Sequence, residues 1–258
     1  MRPLAELGAG IRLQAALIRG APAQLLVLVT APLFSAIFLS LAVSEGATAR
    51  VAAAVIGPGL MSLWLIALSI AATFLSEERF GGRLELFLST PASLSLVVLG
   101  RILAVSVASM LAFAESWLVA RYGFGVVVPV RHPGLVVIAL LITALSSSFT
   151  ATLLSSAFVL SRILHVYQNS LSYPVYILGG VVVPLSGLPG WLQPVSRVIY
   201  LSWCADLLRN ALEAVRPQDV GLDIGMGLGL GALALAASVL LTRHILDALR
   251  RNATAGMA

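Results

Sequence analysis

Residues 51–75 read VAAAVIGPGLMSLWLIALSIAATFL, with no charged side chain anywhere in the run. A helix rising about 1.5 Å per residue needs about 20 apolar residues to cross the roughly 30 Å hydrocarbon core of a bilayer. A run this long and this apolar is a membrane span. Five further apolar runs, about 24–43, 94–120, 134–160, 170–183 and 222–242, repeat the pattern. The chain carries 10% charged residues, against roughly 25% in soluble domains. The expectation is an all-α membrane protein with six transmembrane helices. One domain covers 1–258, and the spans leave no room for a second, soluble one.

All 16 basic residues are arginine. A phosphate-binding loop of the form G-x-x-x-x-G-K-[ST] needs its lysine to reach the β- and γ-phosphates, so this chain cannot hold one. The net charge of +5 is spread over short loops and forms no basic stripe, which argues against a nucleic-acid partner. A single cysteine, Cys204, excludes an internal disulfide and a cysteine metal cluster. His132, His165 and His244 lie far apart, without H-E-x-x-H or G-x-S-x-G. No catalytic or metal-ligating residue is expected.

Before the first span, residues 4–19 place Leu4, Leu7, Ile11 and Ala15 near one face, with Glu6 and Arg12 off it. That is the pattern of an amphipathic helix lying on the membrane surface. Ala47-Thr48-Ala49 resembles a leader cleavage site, but the apolar run before it is nearer 20 residues than a signal's 7–15 or so, so the run is read as retained. With the N-terminus placed in the cytoplasm, ten arginines fall inside and six outside. This bias puts both termini in the cytoplasm.

Between the second and third spans the chain places Glu77, Glu78, Arg79, Arg83 and Glu85 within nine positions. Read as a helix over 77–89, Leu84, Phe87 and Leu88 share a face, with Glu78, Arg79 and Glu85 largely off it. Gly81 and Gly82 permit a bend before it, and Pro91 ends it. The spacing fits a surface helix whose polar side meets water or a soluble partner.

The order Glu78, Gly82, Leu84-Glu85, Phe87-Leu88, Thr90-Pro91 and Gly100-Arg101 resembles the loop between spans two and three of ABC-2 type exporter permeases. Arg83 stands where that family often has threonine. A second stretch, Gly180, Pro184, Leu188-Pro189-Gly190-Trp191-Leu192, Asp206 and Arg209, is similar to the extracellular end of the family's fifth span, with Tyr200 where proline is common. The resemblance implies that 77–89 is a coupling helix docked on a separate P-loop ATPase, with Glu77, Glu78, Arg79, Gly82, Arg83, Glu85 and Phe87 at the contact. Arg162 and His165 would form a second, smaller contact. It implies two ATPase subunits holding ATP and magnesium, a second permease subunit, identical or related, and a bacterial plasma membrane. This chain itself would need no cofactor.

Pro184, Gly187, Pro189, Gly190 and Pro194 break the chain near the outer interface. Broken backbone at membrane depth survives only when buried in protein or lining a cavity. Two short helices over 187–209 form the expected re-entrant element, a plain extracellular loop being the alternative. The resemblance makes it an outer gate containing Pro184, Gly187, Pro189, Trp191, Asp206 and Arg209. Trp191, Tyr200 and Trp203 suit interface anchors, and Asp223 is expected at the outer surface.

Glu115 lies inside the third span. It is a candidate either for the substrate pathway or for a structural partner such as Arg121, about 9 Å along the helix. Ser148, Thr152 and Ser155 share a face of the fourth span and either bridge helices or line a path. The overlapping pairs Gly221/Gly225, Gly225/Gly229 and Gly227/Gly231 suit close helix packing, within the subunit or between subunits. The resulting expectation is the permease of an exporter for a hydrophobic or amphiphilic substrate. An ion-coupled secondary transporter would show an internal repeat with broken helices in both halves, and an integral-membrane enzyme would show convergent polar groups at one depth.

Overall fold

The computed structural model describes residues 3–20, 26–44, 48–80, 94–158, 164–212 and 219–255. Helices α1 (Pro3–Gly20), α2 (Leu26–Ser44) and α3 (Thr48–Phe80) are followed by α4 (Leu94–Ala108), α5 (Leu111–Leu118) and a π-helical turn, Val119–Gly123. Then come α6 (Pro133–Phe158), α7 (Leu164–Leu178), a 3-10 turn at Leu185–Gly187, α8 (Gln193–Ser196), α9 (Tyr200–Leu212) and α10 (Val220–Ala255). Among the described residues there is no strand.

Among the described residues, four segments are long and apolar enough to cross a membrane: Val51–Ala72, Ser95–Gly123, Pro133–Ala157 and Val220–His244. They coincide with four of the six expected spans. The first expected span shows a shorter apolar helix, Val29–Ser44. The fifth is a helix of 15 residues that stops at Leu178.

The core is organised around α3, which touches α2, α4, α5, α6, α7 and α9. Leu60, Trp64 and Leu68 of α3 pack with Ile142 of α6 and with Leu201 and Leu207 of α9. One turn round the helix, Ile66 and Ile70 pack with Val98, Ile102 and Val105 of α4. A third cluster joins Leu39 and Ala42 of α2 to Ala54, Val55, Ala120 and Val128. Lipid is as apolar as these side chains, so their fit, rather than exclusion from water, holds the spans together. Gly59 illustrates it: a Cβ there would press into the ring of Phe113, so only glycine lets α5 come this close to α3.

The third span is not one uninterrupted helix. At Ser109 the side-chain hydroxyl and the backbone N–H both donate to the carbonyl of Val105, at 2.7 and 2.8 Å, and α4 ends in a turn before α5 begins. A serine that bonds back to the preceding turn bends or interrupts a helix. The helical backbone of α3 runs through Phe80, so residues 77–80 of the expected coupling helix continue the second span. Residues 81–89, the rest of that helix, lie outside the described residues.

Candidate functional site

The loop read as a coupling helix enters α4, and at α4 its surroundings become visible. Helix α1 lies along α4. Gly10 and Gly100 meet at the crossing: a Cβ on Gly10 would collide with the carbonyl oxygen of Val97, and one on Gly100 with that of Leu7. Beside them the Arg101 guanidinium, only 3% exposed, donates through Nε to Oε1 of fully buried Gln14 at 2.9 Å. A helix, Pro3–Gly20, stands where the N-terminal amphipathic helix is expected, and it is clasped to the start of the third span. Arg101 is a buried cation held by protein. Of the other residues expected at this contact, Gly82, Arg83, Glu85, Phe87 and Arg162 lie outside the described residues. Glu77, Glu78 and Arg79 fall in the helical backbone that ends α3, and His165 in the first turn of α7.

At the end of α7 the chain turns back into the bundle. Gly180 adopts φ +67°. Its N–H donates to the carbonyl of Ile177 at 3.2 Å, and the N–H of Val181 donates to that of Tyr176 at 3.1 Å. This is the glycine-terminated helix end that satisfies the last carbonyls through a left-handed residue. The Gly180 carbonyl in turn accepts from Nη2 of Arg209 on α9.

Asp206 sits between two arginines. Its Oδ1 accepts from Arg209 Nη1 at 3.1 Å and its Oδ2 from Arg197 Nη1 at 2.8 Å. Arg197 also lies 4.3 Å over the ring of Trp203, whose Nε1 donates to the Arg197 carbonyl at 2.8 Å. The expected pair Asp206 and Arg209 is thus brought together. Arg197, nine residues before Asp206, joins it without any periodic signal to announce it.

Pro184 and Gly187 line a cavity of about 460 Å³ between this turn and the ends of α2 and α3, facing Phe38, Leu41 and Ala54. Pro189 is exposed and Trp191 is 75% exposed. Exposure of Trp191 suits the anchor role, but Tyr200 and Trp203 are buried, at 3% and 8%. The Tyr200 hydroxyl donates to Ser147 at 2.9 Å. Asp223 is also buried, accepting from Asn210 Nδ2 at 3.1 Å, rather than lying on the surface. The amphipathic pattern of α9 turns its polar and aromatic groups inward onto α6, α3 and α10.

Most hydroxyls of α6 join helices or bond their own backbone. Ser148 bonds Ser106 of α4 at 3.0 Å, Ser146 donates to the Gly227 carbonyl at 2.9 Å, and Ser156 meets Ser238 and Thr242 at 2.9 Å each. Thr152 donates to the Ser148 carbonyl, and Ser155 is 2% exposed. Gly227 and Gly231 of α10 face this row, with a Cβ on Gly231 reaching 3.0 Å from Ser146 Cα, whereas Gly221, Gly225 and Gly229 look onto open space. Glu115 has its Oε2 buried without a hydrogen-bond partner among the described residues.

A helical bundle with apolar spans, a polar clasp of its first helix and a broken helix folded back into it is a multi-pass membrane protein. Residues 9–212 match the family model of the ABC-2 type transporter, and the chain belongs to that family. It is accordingly the membrane-spanning permease subunit of an ABC transporter, a family whose permeases pair with an ATP-binding subunit. No curated protein matches the chain in sequence.

Proposed function

We propose that this permease works outward, as the conduit of an exporter for a hydrophobic or amphiphilic substrate in a plasma membrane, with both termini cytoplasmic. Two permease subunits, identical or related, would form the conduit over two ATPase subunits that hold ATP and magnesium. Residues 77–89, helped by Arg162 and His165, dock on the ATPase. Closure of the ATPases on ATP shifts the permease only to the extent that the partner binds its two conformations with different affinity. The segment around Pro184, Gly187, Pro189 and Trp191, tied by Asp206 and Arg209, acts as the outer gate.

The observation that carries this reading is the family match over 9–212, which spans α1 through α9, in a chain without lysine. The clasp of α1 on α4 supports the coupling route, because a push on the loop before Leu94 is delivered to both helices together. The test is a mild-detergent pull-down from native membranes, with mass spectrometry of the co-purifying proteins. A stoichiometric P-loop protein, lost when Glu78→Arg and Glu85→Arg are combined, is the expected result. Transport by the purified chain alone, driven by an ion gradient, would overturn it.

A further inference from the structure

An apolar cavity of about 430 Å³ lies within a single subunit, between α3, the α4–α5 break, the start of α6 and the end of α9. Its walls include Val55, Phe113, Trp117, Val136 and Leu208, and none of its lining residues is charged. The volume falls in the range of small-molecule sites, about 300–1,000 Å³. A wholly apolar cavity gives water no partners and stays dry, while its walls forgo dispersion contacts until something apolar fills it. Beside it the bundle surface is apolar too: Val107, Leu111, Leu118 and Val137 are about half exposed.

Two cations lie on the segments that line the cavity. Trp117 lies in the wall, and one turn further on Arg121 is exposed. Val130 also lies in the wall, and Arg131 next to it is exposed. Neither arginine has a hydrogen-bond or ion-pair partner among the described residues. The Phe124–His132 connection that carries Arg131 is fixed in place by the His132 N–H, which donates to the Ala211 carbonyl on α9 at 3.2 Å. An apolar slot flanked in the chain by two exposed, unpaired guanidinium groups suits an anionic head group on a hydrocarbon tail. Arginine is the side chain best suited to such a phosphate.

We propose that this cavity holds one acyl chain of a resident anionic phospholipid, with Arg121 and Arg131 on its phosphate. The site lies within one subunit and is independent of transport direction and of the ATPase contact.

Trp117 makes it measurable, since a brominated acyl chain quenches indole fluorescence on contact. The chain carrying Trp191→Phe is reconstituted in phosphatidylcholine vesicles with a minor fraction of lipid brominated on its acyl chains. Trp64 and Trp203 remain shielded at 2% and 8% exposure. Brominated phosphatidylglycerol is expected to quench more strongly than brominated phosphatidylcholine at the same fraction, by on the order of fivefold in apparent affinity per arginine at most. Arg121→Gln with Arg131→Gln, both at exposed positions, should abolish that preference and leave chain contact. Ala114→Phe, which fills the slot, should reduce quenching by both lipids. Equal quenching by the two lipids in the parent, or a preference that survives the double arginine change, would overturn the proposal. Preferential quenching seen only while a partner ATPase turns over would also overturn it, by making the occupant cargo.

Discussion

Gly10 of α1 and Gly100 of α4 cross in direct backbone contact, each placed where a Cβ would strike a carbonyl oxygen of the other helix. The crossing brings Gln14 within 2.9 Å of Arg101 and seals both from solvent. A valine on either side must separate the helices and break the Arg101–Gln14 bond. Gly100→Val is expected to cost about 1–3 kcal/mol through overpacking, with a further loss from the broken buried hydrogen bond. Gly8, which has open space around it, is the control: Gly8→Ala should leave unfolding unchanged or slightly improve it through helix propensity. Thermal unfolding in nanodiscs separates the two. Equal stability of Gly100→Val and the parent would mean that the clasp is not formed in the membrane.

The glycines of α10 divide into two faces with different expected responses. Gly231 packs on Ser146, whose Cα lies 3.0 Å from the ideal Cβ position, while Gly225 meets nothing within 4 Å. Gly231→Val should destabilise the subunit by about 1–3 kcal/mol. Gly225→Ala should be neutral or stabilising by up to about 1 kcal/mol. Chemical unfolding of both variants in one detergent gives the comparison, and equal losses would put α10 in a different rotation about its axis.

Asp206 distinguishes its two arginines by burial. Arg209 has 11% of its side chain exposed and also serves the Gly180 carbonyl at the end of α7; Arg197 has 40% exposed. Loss of Arg209 removes a charge-assisted clamp and leaves two acceptors short, so Arg209→Gln is expected to cost about 1–3 kcal/mol. Arg197→Gln should cost under about 1 kcal/mol, as for an exposed pair. Combining each with Asp206→Asn in a double-mutant cycle should give the larger coupling to Arg209. A larger coupling to Arg197 would contradict the geometry.

The apolar runs were readable because bilayer thickness fixes how long an apolar helix must be, and little else competes with that signal. The break at Ser109 left no trace in hydropathy, since a serine bonding to its own helix looks the same as one facing a neighbour. Tyr200 and Trp203 were misread for a related reason. An aromatic residue with a polar tip suits both the membrane interface and a buried hydrogen bond, and only the contacts to Ser147 and to the Arg197 carbonyl decide between them. Gly100 and Arg101 stood out by resemblance, but their partners Gly10 and Gln14 lie about 90 residues away, a pairing that no local spacing encodes. The short fifth helix could be anticipated from its prolines and glycines, whereas Arg197 as the third member of the Asp206 cluster could not.

Glu115 is the acidic residue whose presence the packing does not account for. Its Oε2 is buried and accepts no hydrogen bond, while Ser116 beside it is satisfied twice, by the Ala112 carbonyl at 2.8 Å and by Ser35 at 2.7 Å. An orphaned buried acceptor costs about 1–3 kcal/mol, so an apolar side chain of similar size should do better. Glu115→Leu is expected to raise the unfolding free energy by about 1 kcal/mol or more. Polar groups that weaken a fold are characteristic of positions kept for activity, so the same variant should also lower ATP-driven transport in vesicles containing the partner ATPase. Glu115→Gln, which keeps the size and polarity, separates the two effects: a stability gain without recovered transport means that the carboxylate charge is used. If Glu115→Leu instead loses stability, the carboxylate has a partner beyond the described residues, and the place to look is the face of α5 turned away from Phe113 and Trp117.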